Sequence, residues 1–350
     1  ETAYKAIEEN KDRQIFLLSQ MIHNPDVNND LLERGVKLLM DTSGNVIIPF
    51  EKLNSQDIVI IPAFGTTLTI EKQLIEKGID IRKYDTTCPF VEKVWKKSEK
   101  LGEDNYTIII HGKHNHEETR ATFSRSEKEA PAIIVKDIEE AKRIGDFILG
   151  KISIAEFKQI FNGKISTNFD AEKDLLRVGV INQTTMLATE TQEIADYFKQ
   201  IMIQKFGEGN IKTHFADTRD TLCYATNENQ EATYGVLKQN ADLAIVVGGY
   251  NSSNTSHIVE LCEKKLPTYF ISSDAAIISK NSINHFDFFK QEHKTTANYL
   301  PQKTPVNIIL TSGASCPDAI VDAVLQKILS FYTNIKSISE VLTEVENRTE

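Results

Sequence analysis

Two cysteines stand in matching settings. Cys88 lies in Tyr-Asp-Thr-Thr-Cys-Pro-Phe-Val over residues 84–91, and Cys223 in Asp-Thr-Arg-Asp-Thr-Leu-Cys-Tyr-Ala-Thr over 217–226. Both carry an Asp-Thr-x-Cys core, at 85–88 and 220–223. Each is predicted to sit on a strand-to-helix turn, where the helix dipole favours the thiolate. A thiolate in that place suits a metal, a disulfide or nucleophilic attack, and two matching turns suggest one shared centre. The plain alternative is a pair of buried small hydrophobes, the common fate of a thiol. Cys262 falls in the middle of a predicted helix and reads as structural. Cys316 falls in a polar turn and is ambiguous by position.

Three further stretches could bind or catalyse. Gly-Gly-Tyr-Asn-Ser-Ser-Asn over 248–254 and Thr-Ser-Gly-Ala-Ser over 311–315 resemble anion cradles, in which glycine admits backbone N–H groups and Ser or Asn adds donors. Neither is a Walker loop or a G-x-G-x-x-G turn, and ordinary helix capping explains either one alone. His111, His114 and His116 lie close to Glu117 and Glu118. Zinc ligation is one reading of the group, although the spacing is not H-E-x-x-H. The simpler chemistry gives His116 a phosphate to hold and Glu118 a proton to donate. On an extended segment the two side chains, two residues apart, would share a face. Asp85 and Asp220, three residues ahead of the cysteines, suit orienting those turns.

The elements that position these groups follow from periodicity. Predicted strands cover 14–21, 57–62, 106–110, 132–135, 176–181, 211–216, 243–247, 268–271 and 306–310. Predicted helices cover 3–9, 29–35, 70–77, 91–101, 138–144, 190–204, 227–239, a segment ending at Lys264, and 318–331. Residues 150–174 are polar and weakly periodic and read as an insertion or loop. Strand, polar turn and helix alternate along the chain, which indicates an α/β protein with mostly parallel sheets covered on both faces, in two or three small domains. Ligands of such sheets bind beyond the carboxyl ends of the strands. Those ends carry His23, Thr66, Cys88, His116, Thr184, Cys223, Ser252, Ser253, Asn254 and Ser315.

Composition narrows the function classes. The 350 residues are 40% hydrophobic and 26% charged, ordinary values for a globular protein, and suffice for two or three domains. A net charge of −10 argues against a nucleic-acid surface, which needs a basic face. Four widely spaced cysteines do not form a secreted disulfide framework, so a reducing compartment fits. No run approaches the roughly 18 apolar residues of a membrane span. The chain opens at Glu1, without methionine and inside a predicted helix, and reads as truncated at its front.

Taken in order, I-H-N-P-D-V, D-T-T-C-P, H-G-K-H-N-H-E-E-T, N-Q-T-T-M, D-T-L-C-Y-A-T, N-S-S-N and S-G-A-S resemble the 4-hydroxy-3-methylbut-2-enyl diphosphate reductase (LytB) family, from Ile15 to about Asp322. Ala-Phe-Gly-Thr over 63–66, N-Q-T-T-M and the insertion before Arg177 resemble its plant, cyanobacterial and Bacteroidetes-like branch. The resemblance implies three small α/β domains around a central [4Fe-4S] cluster: 1–88, 89–216 with the insertion near 150–174, and 217–332, followed by an acidic tail over 333–350. It implies reductive removal of an allylic hydroxyl, giving isopentenyl and dimethylallyl diphosphate, with electrons from ferredoxin or flavodoxin. By motif, Cys88 and Cys223 match cluster ligands. His23, His116, Ser252, Ser253, Asn254 and Ser315 match diphosphate contacts. Glu118 and Thr184 match residues beside the hydroxyl, with Glu118 in the proton path. A cytoplasmic location is implied, or the plastid stroma in a plant or alga.

Two departures stand out. The family's third cysteine ligand, first in chain order, belongs to a C-x-G-V segment that would lie upstream of Glu1 and is not in this sequence. The chain as it stands is therefore expected not to hold the cluster normally. Phe64 replaces a histidine of the other branch, so one diphosphate contact is lost or falls to Thr66 or Thr67. The rival functions are a zinc-dependent hydrolase using His111, His114 or His116 with Asp220, and a non-catalytic diphosphate binder.

Overall fold

The structure, a computed structural model, describes residues 2–216, 218, 224–333, 335–337, 339–341 and 343. Glu1, the residue ahead of which the family's first cysteine is expected, lies outside the described residues. The chain divides into two compact units, Glu1–Glu228 and Asn229–Glu350.

The first unit holds two parallel sheets. The chain opens with α1 (Thr2–Glu9), β1 (Ile15–Leu17), α2 (Pro25–Glu33), β2 (Lys37–Leu38), β3 (Ile58–Ile60) and α3 (Leu68–Glu76). Its sheet has the order β2-β1-β3, all parallel. The residues of β1 and β3 are buried throughout, as a sheet covered on both faces requires. Leu17, Leu31 and Ile60 pack on one side, and Phe16, Leu39, Val59 and Leu74 on the other. Helix α2 starts four residues ahead of its predicted start. Asn24 caps it by accepting from Val27 N at 3.2 Å, and Pro25 occupies the first turn.

The second sheet is built from α4 (Pro89–Glu103), β4 (Thr107–His111), α5 (Glu117–Glu129), β5 (Ala132–Val135), α6 (Ile138–Ile148), α7 (Ile154–Ile160), α8 (Ala171–Asp174), β6 (Val178–Asn182), α9 (Ala188–Phe206), α10 (Ile211–His214) and β7 (Phe215–Ala216). Its strand order is β5-β4-β6-β7, again parallel. Periodicity had not marked α5, because its sequence is polar nearly all round. The strand predicted over 211–216 is mostly the short helix α10, leaving two residues for β7. The segment 150–174 is no loose loop: Phe157 and Phe161, one helical turn apart on and just after α7, pack with Phe169 and Leu175 into the core under β4 and β6.

Helix α11 (Tyr224–Val236) leads into the second unit. There β8 (Leu243–Val247), α12 (Ser253–Glu263), β9 (Thr268–Ile271), β10 (Ile277–Ser279), β11 (Ser282–Asp287), β12 (Glu292–Ala297), β13 (Ile308–Ser312) and α13 (Asp318–Leu329) follow. The sheet runs β10-β11-β9-β8-β13, with β12 on β11. Only β8, β9 and β13 are parallel. The antiparallel strands β10 to β12 add to the mostly parallel sheets that periodicity predicts. Residues 282–297 alternate without an apolar face, since β12 is an exposed outer strand with no fully buried residue.

Candidate active site

Parallel register positions the candidate residues of the first unit. His111 at the end of β4 pairs with Asn182 at the end of β6, so the loops carrying Glu118 and Thr184 leave side by side. Leu17 of β1 pairs with Ile60 of β3, which does the same for His23 and Phe64.

Gln183 joins the first two loops. Its Oε1 accepts from Lys113 N at 3.1 Å and from Thr119 Oγ1 at 3.0 Å, and its own N–H donates to His111 O at 2.8 Å. Gly112 is required there, because a Cβ would come within 2.7 Å of Thr119 Oγ1 and 3.1 Å of Gln183 Cβ.

His116 is the N-cap of α5. Its Nδ1 accepts from Glu118 N at 3.2 Å, so Nε2 carries the hydrogen. That Nε2 is buried and meets no partner among the described residues. Burial first, then the neighbouring His23, Lys113 and Arg120, holds the ring well below the usual histidine range, so His116 is neutral. It offers an N–H donor from an uncharged ring.

Glu118 lies on the first turn of α5, not on an extended segment. It is 1% exposed. Thr184 N donates to Oε1 at 2.5 Å, and Thr184 Oγ1 lies 3.0 Å from Oε2. Burial pushes its carboxyl up to about 7 against the lowering effect of both Thr184 contacts. A carboxyl poised there exchanges a proton at neutral pH.

His23 and Glu117 form a second buried pair, Nε2 to Oε2 at 3.1 Å, with side chains 7% and 5% exposed. With Nε2 donating to the carboxylate, Nδ1 is the ring nitrogen left for a ligand. Phe64 stacks obliquely on His23 at 4.4 Å and meets His116 edge-on at 5.5 Å, so the replaced histidine position still closes the cluster. Thr66 is buried nearby, while Thr67 Oγ1 is engaged in capping α3. Gly65, at φ +70°, lets the chain pass beneath Trp95, whose ring a Cβ would strike at 2.5 Å.

Cys88 is the N-cap residue of α4 but does not cap with its side chain. Its N–H donates to Ala63 O at 2.9 Å, which ties it to the Phe64 loop. Asp85 Oδ1 accepts from Thr87 N at 2.8 Å and Thr87 Oγ1 at 2.6 Å, so this aspartate orients the cysteine turn, as its spacing predicts. Cys223, Asp217 and Asp220, like Glu1 at the front of the chain, lie outside the described residues.

The second unit carries the serine and asparagine turns. Val247 at the end of β8 pairs with Ser312 at the end of β13, so the turn holding Ser252, Ser253 and Asn254 and the turn holding Ser315 leave adjacent strands. Ser252 caps α12 by accepting from Thr255 N at 3.3 Å. Gly313 N–H donates to Val247 O at 3.1 Å. A Cβ on Gly313 would lie 1.9 Å from Thr255 Oγ1, so only glycine fits.

The family model described as LytB protein matches residues 1–329. The chain belongs to the LytB family. A 4-hydroxy-3-methylbut-2-enyl diphosphate reductase of Prochlorococcus marinus is 41% identical over 329 residues, covering 93% of this chain and 80% of that protein. A chloroplastic enzyme of the same name from Botryococcus braunii is 41% identical over 337 residues, 93% of this chain and 65% of that one. Both fall in the cyanobacterial and plant-type branch that the motifs resemble. The solved reductase from Plasmodium falciparum superposes with a TM-score of 0.66 at 20% identity, covering 100% of this chain and 94% of that one. A second solved reductase, titled the terminal enzyme of the non-mevalonate pathway, gives 0.52 at 23%, covering 94% of each chain. Both share its α/β fold.

In this LytB chain the three neighbouring histidines diverge. His111 is buried with Nδ1 at 2.8 Å from Thr191 Oγ1, His114 is exposed, and His116 caps α5. Among the described residues no three His, Cys, Asp or Glu side chains are grouped to hold a metal ion. Nor, among them, is any helix long and apolar enough to cross a membrane. Sequence reasoning passed over Gln183, and it weighed Glu117 only as a reserve acid, not as the partner of His23. Glu117 stood beside a better candidate, and the available signal was its place in the acidic first turn after a capping residue. Gln183 carried none beyond its motif.

Proposed function

We infer that this chain reduces 4-hydroxy-3-methylbut-2-enyl diphosphate to isopentenyl and dimethylallyl diphosphate. Two electrons and two protons are consumed, and the allylic hydroxyl leaves as water. The observation that carries the reading is the buried Glu118–Thr184 pair, a carboxyl able to hold a proton at neutral pH, two residues from the His116 donor. Hydroxide leaves poorly, so Glu118 protonates the departing oxygen while Thr184 holds the acid in place. The neutral His116 donates through Nε2 to the diphosphate, and Glu117 holds the His23 ring in place beside it.

Cys88 suits an iron–sulfur ligand, since a thiol at a helix N-terminus that is not spent on capping favours the thiolate. With Cys223, and a third cysteine from the segment ahead of Glu1, it would hold a [4Fe-4S] cluster, which when bound supplies the electrons. Ferredoxin or flavodoxin would deliver them. Ser252, Ser253, Asn254 and Ser315 bind the diphosphate through side-chain donors and the N-terminus of α12. We propose three modules, dividing near Cys88 and near Asp217, in keeping with three separate sheets. Such a protein works in the cytoplasm, or in the plastid stroma where there is one.

The test is turnover by anaerobically prepared protein that includes the Cys-x-Gly-Val segment ahead of Glu1. Both product diphosphates are expected, together with iron and acid-labile sulfide. Zinc without iron, and phosphate release without reduction, would instead establish the hydrolase. For the anion site, charge-assisted hydrogen bonds are worth about 1.5–3 kcal/mol each. Asn254→Ala should therefore weaken inorganic diphosphate binding about ten- to a hundredfold. Unchanged affinity would remove α12 from the site.

A further inference from the structure

The start of α12 buries more hydrogen-bonding capacity than it uses. Ser253, Asn254 and His257 are 3%, 2% and 4% exposed. Ser253 Oγ, both amide atoms of Asn254 and His257 Nε2 find no partner among the described residues. Buried polar atoms are normally satisfied, so a group of unsatisfied ones in two helical turns calls for a ligand.

His257 differs from the other two in having one end anchored. Its Nδ1 lies 3.1 Å from Glu260 Oε2, one turn further along α12. A carboxylate at Nδ1 fixes a hydrogen there and orients the ring, which leaves Nε2 as the working atom. Positions 253, 254 and 257 lie on one side of the helix, and helical side chains lean toward the N-terminus. The imidazole is therefore carried back over the turn that presents Ser253 and Asn254. The same end of the helix gathers backbone N–H groups and the positive end of its dipole.

We propose that His257 is a further anion-binding residue of this site, oriented by Glu260 and donating from Nε2 to a phosphate oxygen. The proposal rests on the reading that α12 binds diphosphate. With both ring nitrogens donating, the bound ring is an imidazolium set between the Glu260 carboxylate on one nitrogen and the phosphate on the other. Sequence analysis passed over His257 because it lies a full turn beyond the polar loop.

Calorimetric titration with inorganic diphosphate tests this on the parent and on Asn254→Ala, His257→Gln and Glu260→Gln. A lost charge-assisted bond predicts about ten- to a hundredfold weaker binding for His257→Gln. Glu260→Gln, which keeps an acceptor for Nδ1 but not its charge, should weaken binding severalfold. In imidazole-labelled parent protein, the His257 ring nitrogens should shift toward the protonated form as diphosphate is added. Weakened binding in Asn254→Ala with parent-like binding in folded His257→Gln overturns the role of His257 alone. Parent-like binding in Asn254→Ala overturns the diphosphate reading itself. Should His257→Gln fail to fold, Glu260→Gln decides: affinity equal to the parent's, with unmoved ring signals, ends the proposal.

Discussion

Glu118→Gln, in cluster-loaded protein, lowers turnover by about 10²–10⁴-fold, the contribution of a positioned general acid, and leaves substrate affinity nearly intact. Glutamine keeps the shape and the acceptor for Thr184 N, but has no proton to give. The same substitution should stabilise the fold at neutral and alkaline pH. A carboxyl raised to about 7 in the folded chain from an ordinary 4.5 favours the neutral form there. Its stabilising contribution is complete below 4.5 and is lost as pH rises through 7. At about 1.4 kcal/mol per pKa unit, the loss is about 3 kcal/mol. Glu118→Gln should therefore unfold at a higher temperature than the parent above pH 7, with the gap closing toward pH 4.5. Normal turnover with an artificial electron donor would move the proton source elsewhere, with Glu117 the next candidate. An unchanged melting profile would show that Glu118 is not buried as described.

Cys88→Ser abolishes the visible charge-transfer absorption of anaerobically loaded protein carrying the Cys-x-Gly-Val segment, and activity with it. Cys262→Ser does neither. Cys262 is fully buried on α12, and burial followed by Glu263 pushes its thiol up to about 12, so at neutral pH it stays a protonated core thiol. Cys316 packs into the apolar core of the second unit with Leu300 and Val324. Serine at either place puts a hydroxyl among apolar groups and costs about 1–3 kcal/mol. Those variants should melt earlier yet keep the absorption. Equal loss of absorption in Cys316→Ser would reassign the ligands.

Much of the fold was legible because buried strands announce themselves, and the candidate site residues were sought at their ends. The runs 132–135, 243–247 and 268–271 coincide with β5, β8 and β9. Buried parallel strands are nearly pure Ile, Val and Leu, so their ends, and the polar residues just beyond, are sharply marked. Segments held by tertiary contacts left weaker marks. Helix α5 buries Glu117, Glu118, Thr119 and Thr122, polar residues that pair with the loops around them, so no apolar stripe signals the helix. The hairpin of β11 and β12 pairs Asn284 with Thr295 and His285 with Lys294, residues that show their strand only once a partner is beside them. The charge state of His116 and the bracing of His23 by Glu117 depend on burial and on contacts across 94 residues of chain, which spacing does not record.

His116 closes the end of α5 with one ring nitrogen and leaves the other buried without a partner among the described residues. A proton added to Nδ1 would remove the cap as well as change the charge, and a cap is worth about 1 kcal/mol. With the folded ring held well below its ordinary range, the unfolded chain takes that proton first as pH falls past about 6.5, so acid draws stability from this helix end. The turn it loosens is the one that carries Glu117 and Glu118. Any substitution of His116 is thus two experiments in one, a lost donor and a frayed helix. Asparagine, a strong capping residue with a shorter reach, is the replacement that would separate them.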